Sequence, residues 1–306
     1  MRVPLPAAMI TTSNAVMLSF LRLSRIIRHA LLLGALFLLG GCSTLRLAYN
    51  QSEDLVYWWL DRHADFTAEQ KPQVREALAE LHQWHRQHQL PEYIALLQKA
   101  RSMAPRDVTA EQICAITHEM QASYVQLLRH VEPAAARIVA QLKPEQLRKI
   151  RQRYDKINED WRDEWLEGPA DKRLRLRVKN ALNRLEDFYG PLDTAQRETV
   201  QQWVAGSGFD PMVSYAERER RQADSLQTFQ RMAQEGGANA APLLRGWVDR
   251  SFSSPVPKHR DYSQAVWQAN CEGFARLHNS TTPEQRQRLA NALLGYENDL
   301  RAVLKR

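Results

Sequence analysis

The sequence predicts an all-α fold, an elongated multi-helix bundle of antiparallel helical hairpins. Three observations carry that prediction. Stripe positions recur at helical spacing. Val74, Leu78, Leu81 and His85 fall at i, i+4, i+7 and i+11, and Leu174, Val178, Ala181, Leu182, Leu185 and Tyr189 keep the same period. Strand signals are nearly absent, with no convincing alternation of β-branched residues and no Asn-Gly hairpin turn. Finally, one short helix-initiating element recurs, at residues 66–70 (FTAEQ), 108–112 (VTAEQ), 142–146 (LKPEQ), 192–196 (LDTAQ) and 281–285 (TTPEQ).

The first 41 residues hold four arginines and no acid, and they end in an apolar run, ALLLGALFLLGG. A basic region, a short apolar core and small residues at its end form a secretory signal. The core is shorter than the roughly 20 residues a spanning helix needs. Leu39-Gly40-Gly41-Cys42 resembles the lipobox of bacterial lipoproteins. That resemblance implies that Cys42 is acylated on sulfur and becomes the mature N-terminus. Residues 1–41 are then a signal peptide, with Met17 as a second candidate start. Ser43, not aspartate, follows. By the lipoprotein sorting rule this implies the inner leaflet of the outer membrane, with the body facing the periplasm. The partner implied is therefore the membrane itself, through acyl chains that contribute roughly 0.8 kcal/mol per buried methylene.

Four of the 42 Lys and Arg residues, and none of the 35 acids, precede Cys42, so the net charge of +7 falls to +3 in the mature chain. No nucleic-acid partner is implied. Cys114 and Cys271 remain once Cys42 is spent. In an oxidising compartment they can pair, but the sequence alone does not show that their Cα atoms meet.

Residues 42–49 read as a membrane tether, reaching at most roughly 26 Å when fully extended. Residues 50–306 read as a single helical periplasmic domain, with two lobes meeting near Gly206. LVYWWLDRH, residues 55–63, opens this body. Trp58 and Trp59 have two readings, an aromatic anchor at headgroup level or caps on the bundle core, and the core is the expectation.

The recurring element is helix-initiation chemistry. Thr67, Thr109, Asp193 and Thr282 can cap a helix, and the Gln three residues on can reach back to the cap's own N–H. The apolar residue before the cap can staple onto the next turn, clearest for Val108 with Ile113 and Leu142 with Leu147. Lys143 offers no acceptor, so only the staple is expected there. Spacings of 42, 34, 50 and 89 residues are too irregular for a solenoid. Prolines at 91, 105, 133, 144, 169, 191, 211, 242, 255, 257 and 283 are expected between helices or in first turns.

HQWHRQHQLPEY, residues 82–93, concentrates three histidines. Side chains of His82, His85 and His88 on one continuous helix cannot all converge on one ion, and Glu80 is the nearest acid, so no metal site is expected. Trp84 and Leu81 are expected to pack inward, Arg86, His82 and His88 to face water, and His85 to be half-buried. The helix is expected to close at Leu90, with Pro91 opening the next. The enzymatic alternative is a metal-assisted hydrolase using His82, His85 and an acid from elsewhere. No nucleophile elbow, zincin helix, P-loop or dinucleotide fingerprint is present, so neither enzyme chemistry nor a cofactor is expected.

LAYNQSEDLVYWWLD, FTAEQ and WHRQHQLPEYIALL, placed soon after a lipobox, resemble an uncharacterised family of proteobacterial lipoproteins. Trp84-His85-Arg86 with Leu90-Pro91-Tyr93 is its most specific part, and Trp84, His85, Arg86 and Tyr93 are candidate binding residues. The resemblance implies a periplasm-facing lipoprotein and assigns no activity. The recurring element also resembles the LTxxQ motif of the Spy and CpxP family of helical periplasmic chaperones, which implies chaperone-like binding. Here the leading Leu or Thr is mostly replaced.

Residues 143–184 hold 13 basic and 8 acidic side chains. The densest run, KRLRLRVK, offers Arg173, Arg175 and Arg177 as candidate contacts to an anionic envelope component or an acidic envelope protein. Interleaved acids also fit an ordinary solvated helix face. The function expected from these readings is non-enzymatic binding or assembly in the cell envelope.

Overall fold

In the computed structural model, residues 44–236 and 239–305 are described. The chain divides into two units, residues 1–49 and 50–306. The signal peptide, Met17 and the lipidation candidate Cys42 lie outside the described residues. In the first unit the described segment is helical, the start of α1 (Thr44–Asn50). The tether is thus not extended there: a helix rises about 1.5 Å per residue, against roughly 3.3 Å for a strand.

The second unit is all-α among its described residues. It comprises α2 (Ser52–Ala64), α3 (Gln70–Trp84), α4 (Leu90–Met103), α5 (Ala110–Val139), α6 (Pro144–Trp165) and α7 (Ala170–Tyr189). Then come α8 (Thr194–Gly206), α9 (Pro211–Glu235), α10 (Ala240–Phe252), α11 (Pro257–Asn279) and α12 (Pro283–Leu304). Among the described residues no helix is long and apolar enough to cross a membrane.

One proline departs from expectation: Pro133 lies inside α5 rather than between helices. Pro91 stands in the first turn of α4 as expected, but the helix before it does not close at Leu90. The rod runs on from α3 through a single π-helical turn, His85–Gln89, into α4. Pro91 lacks an N–H, so the ladder has a missing donor at that point. A wide turn just before it is a known way of absorbing such a defect without ending the helix.

The recurring element does start helices, and it also joins them. Thr109, Asp193 and Thr282 accept from the backbone N–H three residues on, while Gln112, Gln196 and Gln285 accept from the cap's own N–H. At residues 142–146 half of the box survives: the Lys143 N–H donates to Gln146 Oε1 at 3.0 Å. Beyond its own turn, each of four glutamines has a partner. Gln70 Nε2 donates to Gln146 Oε1 at 3.2 Å, and Gln146 Nε2 donates back to Gln70 Oε1 at 2.8 Å. Gln196 and Gln285 make the same reciprocal pair, at 2.8 and 2.9 Å. Each amide then reaches the carbonyl of the residue just before its partner's copy. Gln70 reaches Gln141 O, Gln146 reaches Asp65 O, Gln196 reaches Ser280 O and Gln285 reaches Pro191 O. The first and third copies thus meet with local two-fold symmetry, as do the fourth and fifth. The second copy is held otherwise, by Asn279, whose amide brackets the Val108 backbone at 2.9 and 3.0 Å.

The apolar cores follow these joints. One comprises Tyr57, Phe66, Val74, Leu78, Leu142 and Ile150, on α2, α3 and α6 and their leading loops. A second comprises Leu185, Tyr189, Leu192, Val200, Val204 and Leu277, on α7, α8 and α11. A third joins α5, α9 and α10 through Ala136, Met232, Ala240 and Leu244. α4 is tied to α12 by a buried carboxylate: Glu297 accepts from Gln98 at 2.9 Å and pairs with Arg101 at 3.3 Å and Arg301 at 2.7 Å. Cys114 of α5 and Cys271 of α11 form a disulfide, with Cα atoms 5.5 Å apart.

Candidate functional site

The histidine-rich stretch is an aromatic joint. Trp84 is half-buried, stacked on His130 of α5 with ring centroids 4.0 Å apart, and also on His88 at 5.7 Å. His85 meets the Tyr93 ring edge-on at 5.5 Å across the π turn. Burial, and then the charge of His82, lowers the His85 pKa. Arg86 does not face water as expected but is half-buried beside them, since the π turn that holds it packs against α5. His88 is exposed, but His82 does not face water. Its side chain is 15% exposed and its Nδ1 lies 2.9 Å from Glu53 Oε1, which draws α2 onto α3. The partner of His82 is an acid on another helix, which sequence spacing cannot reveal. Among the described residues, no three His, Cys, Asp or Glu side chains are grouped to hold a metal.

The three arginines of the basic run serve three different ends. Arg173 donates to the carbonyls of Leu166 and Gly168, closing the turn between α6 and α7. Arg175 is exposed and pairs with Asp171 one turn back. Arg177 alone turns inward. Its Nη2 donates to Val204 O at 2.9 Å and Ser207 Oγ at 3.0 Å, and its guanidinium stands 4.6 Å from the centre of the Phe209 ring. Burial lowers its pKa.

Arg177 leads into a cavity of about 1530 Å³ within the second unit. Six of the eight tryptophans line it: Trp59, Trp161, Trp165, Trp203, Trp247 and Trp267. Each comes from a different turn of the fold, and local packing fixes several. Trp161 stacks with Trp165 at 6.1 Å and with Tyr215 at 5.4 Å. Trp203 donates from Nε1 to Asn270 at 3.0 Å and lies flat against Gly273. A Cβ at residue 273 would sit 2.2 Å from the Trp203 ring, so α8 and α11 need glycine to approach this closely. Trp247 donates to Ser225 Oγ at 2.9 Å and meets Phe229 edge-on.

Four arginines also line the cavity: Arg177, Arg184, Arg218 and Arg221. Arg177, Ala181 and Arg184 are i, i+4 and i+7 on α7, so one helix face supplies two of them. Glu217 is buried there. Burial alone would raise its pKa, but bonds from Arg220, Arg221 and Ser254 hold the carboxyl down at about 2. Sequence reasoning missed this cavity. Its lining is drawn from positions 59 to 270, and the one signal was the unusual number of tryptophans.

Trp58 and Trp59 do not cap the core. They are 71% and 59% exposed, and with Leu55 and Arg62 they form an exposed stripe at i, i+3, i+4 and i+7 along α2. Tyr57 is the residue of that helix turn that packs inward.

Comparison with characterised proteins and with solved structures returned no match. Residues 62–244, more than half of the chain, match the family of unknown function DUF6279, and the chain belongs to that family.

Proposed function

We propose that this protein is a lipid-anchored lipoprotein of the outer membrane's inner leaflet. Its helical body faces the periplasm and binds an apolar or amphiphilic envelope component without catalysis, in a carrier or chaperone-like role. The observation that carries this reading is the tryptophan-walled cavity. Aromatic side chains gain most when their area is removed from water, yet here six indoles border open space of about 1530 Å³. Pockets for ligands have this composition, apolar walls with a few placed polar groups. Three further observations support the address. Leu39 to Cys42 resembles a lipobox. The Cys114–Cys271 disulfide suits an oxidising compartment. The exposed Leu55, Trp58, Trp59 and Arg62 stripe has the chemistry of a membrane–water interface.

Fractionation tests the address. Cys42→Ser should abolish acylation and remove the mature protein from the outer membrane. If that variant still sediments with outer membranes at high salt, the lipoprotein reading is wrong. Crosslinking of the anchored wild type, followed by lipid and protein analysis of what it carries, tests the binding role.

A further inference from the structure

We propose that the cavity binds an anionic amphiphile taken from the membrane surface, its tail between the tryptophans and its anionic head at Arg177 and Arg184. This rests on the binding role above and names its ligand. Size is the first argument. About 1530 Å³ exceeds the roughly 300–1,000 Å³ of ordinary small-molecule clefts, leaving room for a chain.

Charge is the second. The Glu217 carboxylate is already matched by Arg220 and Arg221. Arg177, Arg184 and Arg218 have no carboxylate partner among the described residues, and Glu164, exposed, is the other acid of the lining. Arg177 uses only Nη2. Its Nε and Nη1 donate to nothing among the described residues, while Phe209 fixes the plane of the guanidinium. The bonds to Val204 and Ser207 and the Phe209 ring hold the partly buried Arg177 guanidinium in place but leave its charge without a counter-ion. A phosphate or carboxylate supplies one, through charge-assisted bonds. Arg184 stands two turns along the same face and extends the anion site toward solvent.

The source of the ligand is the third argument. Trp59 belongs both to the cavity lining and to the exposed stripe of α2. The wall of the cavity is therefore the helix that carries interfacial chemistry on its outside. A lipid reaching the cavity past Trp59 would leave the bilayer tail-side against indole, whereas a free anion would gain nothing from six tryptophans.

The test is a titration of tryptophan fluorescence in the mature chain, residues 42–306, with Cys42→Ser so that no detergent is needed. Four probes are compared: decyl phosphate, decyl maltoside, inorganic phosphate and an apolar peptide. Decyl phosphate should bind at least tenfold more tightly than decyl maltoside, and inorganic phosphate should leave the emission unchanged. Arg177→Gln and Arg184→Gln should each weaken decyl phosphate about tenfold, the effect of about 1.4 kcal/mol, and leave decyl maltoside unaffected. Arg184 is exposed and makes no hydrogen bond or ion pair among the described residues, so Arg184→Gln should leave the melting temperature unchanged, and its binding result is read beside that melt. Equal affinity for the two amphiphiles, a response to phosphate alone, or preference for the peptide would overturn the anionic amphiphile. Equal amphiphile affinity would leave the cavity as a binding site. Silence from all three apolar probes would remove the binding role itself.

Discussion

His278 is 2% exposed and bonded at both ring nitrogens, 2.8 Å from the Arg106 carbonyl and 2.8 Å from the Tyr189 hydroxyl. A carbonyl can only accept, so Nε2 carries a proton, and in the neutral ring Nδ1 then accepts from the Tyr189 hydroxyl. Burial first, and Arg286 after it, lowers the His278 pKa below its ordinary 6.5, against partial opposition from the Arg106 carbonyl and Asp107. Burial drives His85, His130 and His259 the same way. A histidine with a lowered folded pKa is protonated first in the unfolded chain. Its contribution is complete above the unfolded pKa and declines as pH falls from there toward the folded value. The melting temperature should therefore fall between pH 7.5 and pH 5, and less steeply in His278→Gln, whose amide does not titrate. An unchanged slope would assign the acid sensitivity to the other three. At neutral pH, His278→Ala should cost roughly 2–4 kcal/mol, because it leaves a buried carbonyl and a buried hydroxyl unpaired. The sequence offered no sign of this residue. Its importance comes from a hydrogen bond to a loop 172 positions away.

Among the elements, what was legible was what is local. Helical period and capping chemistry lie within a few residues of one another, so the helix starts at Thr109, Asp193 and Thr282 could be read from sequence. The same chemistry explains where reading stopped. Whether a capping glutamine also pairs with a second copy depends on residues 76 or 89 positions distant. Pro133 misled because a proline usually interrupts a helix, and here the packing of α5 against α10 and α11 holds the helix through the lost bond. The pairing predicts unequal costs at equivalent motif positions. Gln196 is 2% exposed and loses bonds to Asp193, Ser280 and Gln285 on truncation, so Gln196→Ala should cost about 2–3 kcal/mol. Gln112 is exposed and serves its own cap, so Gln112→Ala should cost about 0.5–1 kcal/mol. Denaturant melts of the two variants decide it, and equal losses would mean that the reciprocal pairs carry no stability.

Across the whole molecule, helices distant in sequence are joined by few but specific ties. The basic run shows the limit of composition at this scale: of Arg173, Arg175 and Arg177, one closes a turn, one faces solvent and one enters the cavity. Charge density alone cannot sort them, because the sorting is done by how α7 is rotated against α8. The Cys114–Cys271 bond is the longest covalent tie, closing a loop of 157 residues between α5 and α11. Those two helices also hold the edge of the second helix-start copy, through Asn279 and Val108, and α11 carries Gly273 against Trp203 in the cavity wall. Closing a loop of that length removes enough freedom from the unfolded chain to stabilise the fold by about 5 kcal/mol. For a chain of this size that corresponds to a fall of roughly 10 °C in melting temperature on reduction. The bond should resist mild reductant in the native state, since Cys271 is 4% exposed and Cys114 9%. Melting with and without dithiothreitol after a denaturing pre-treatment should show the fall. A double variant, Cys114→Ser with Cys271→Ser, should melt at the reduced value and ignore the reductant. A reductant effect of less than about 2 °C in wild type would mean that the two thiols are not joined in solution.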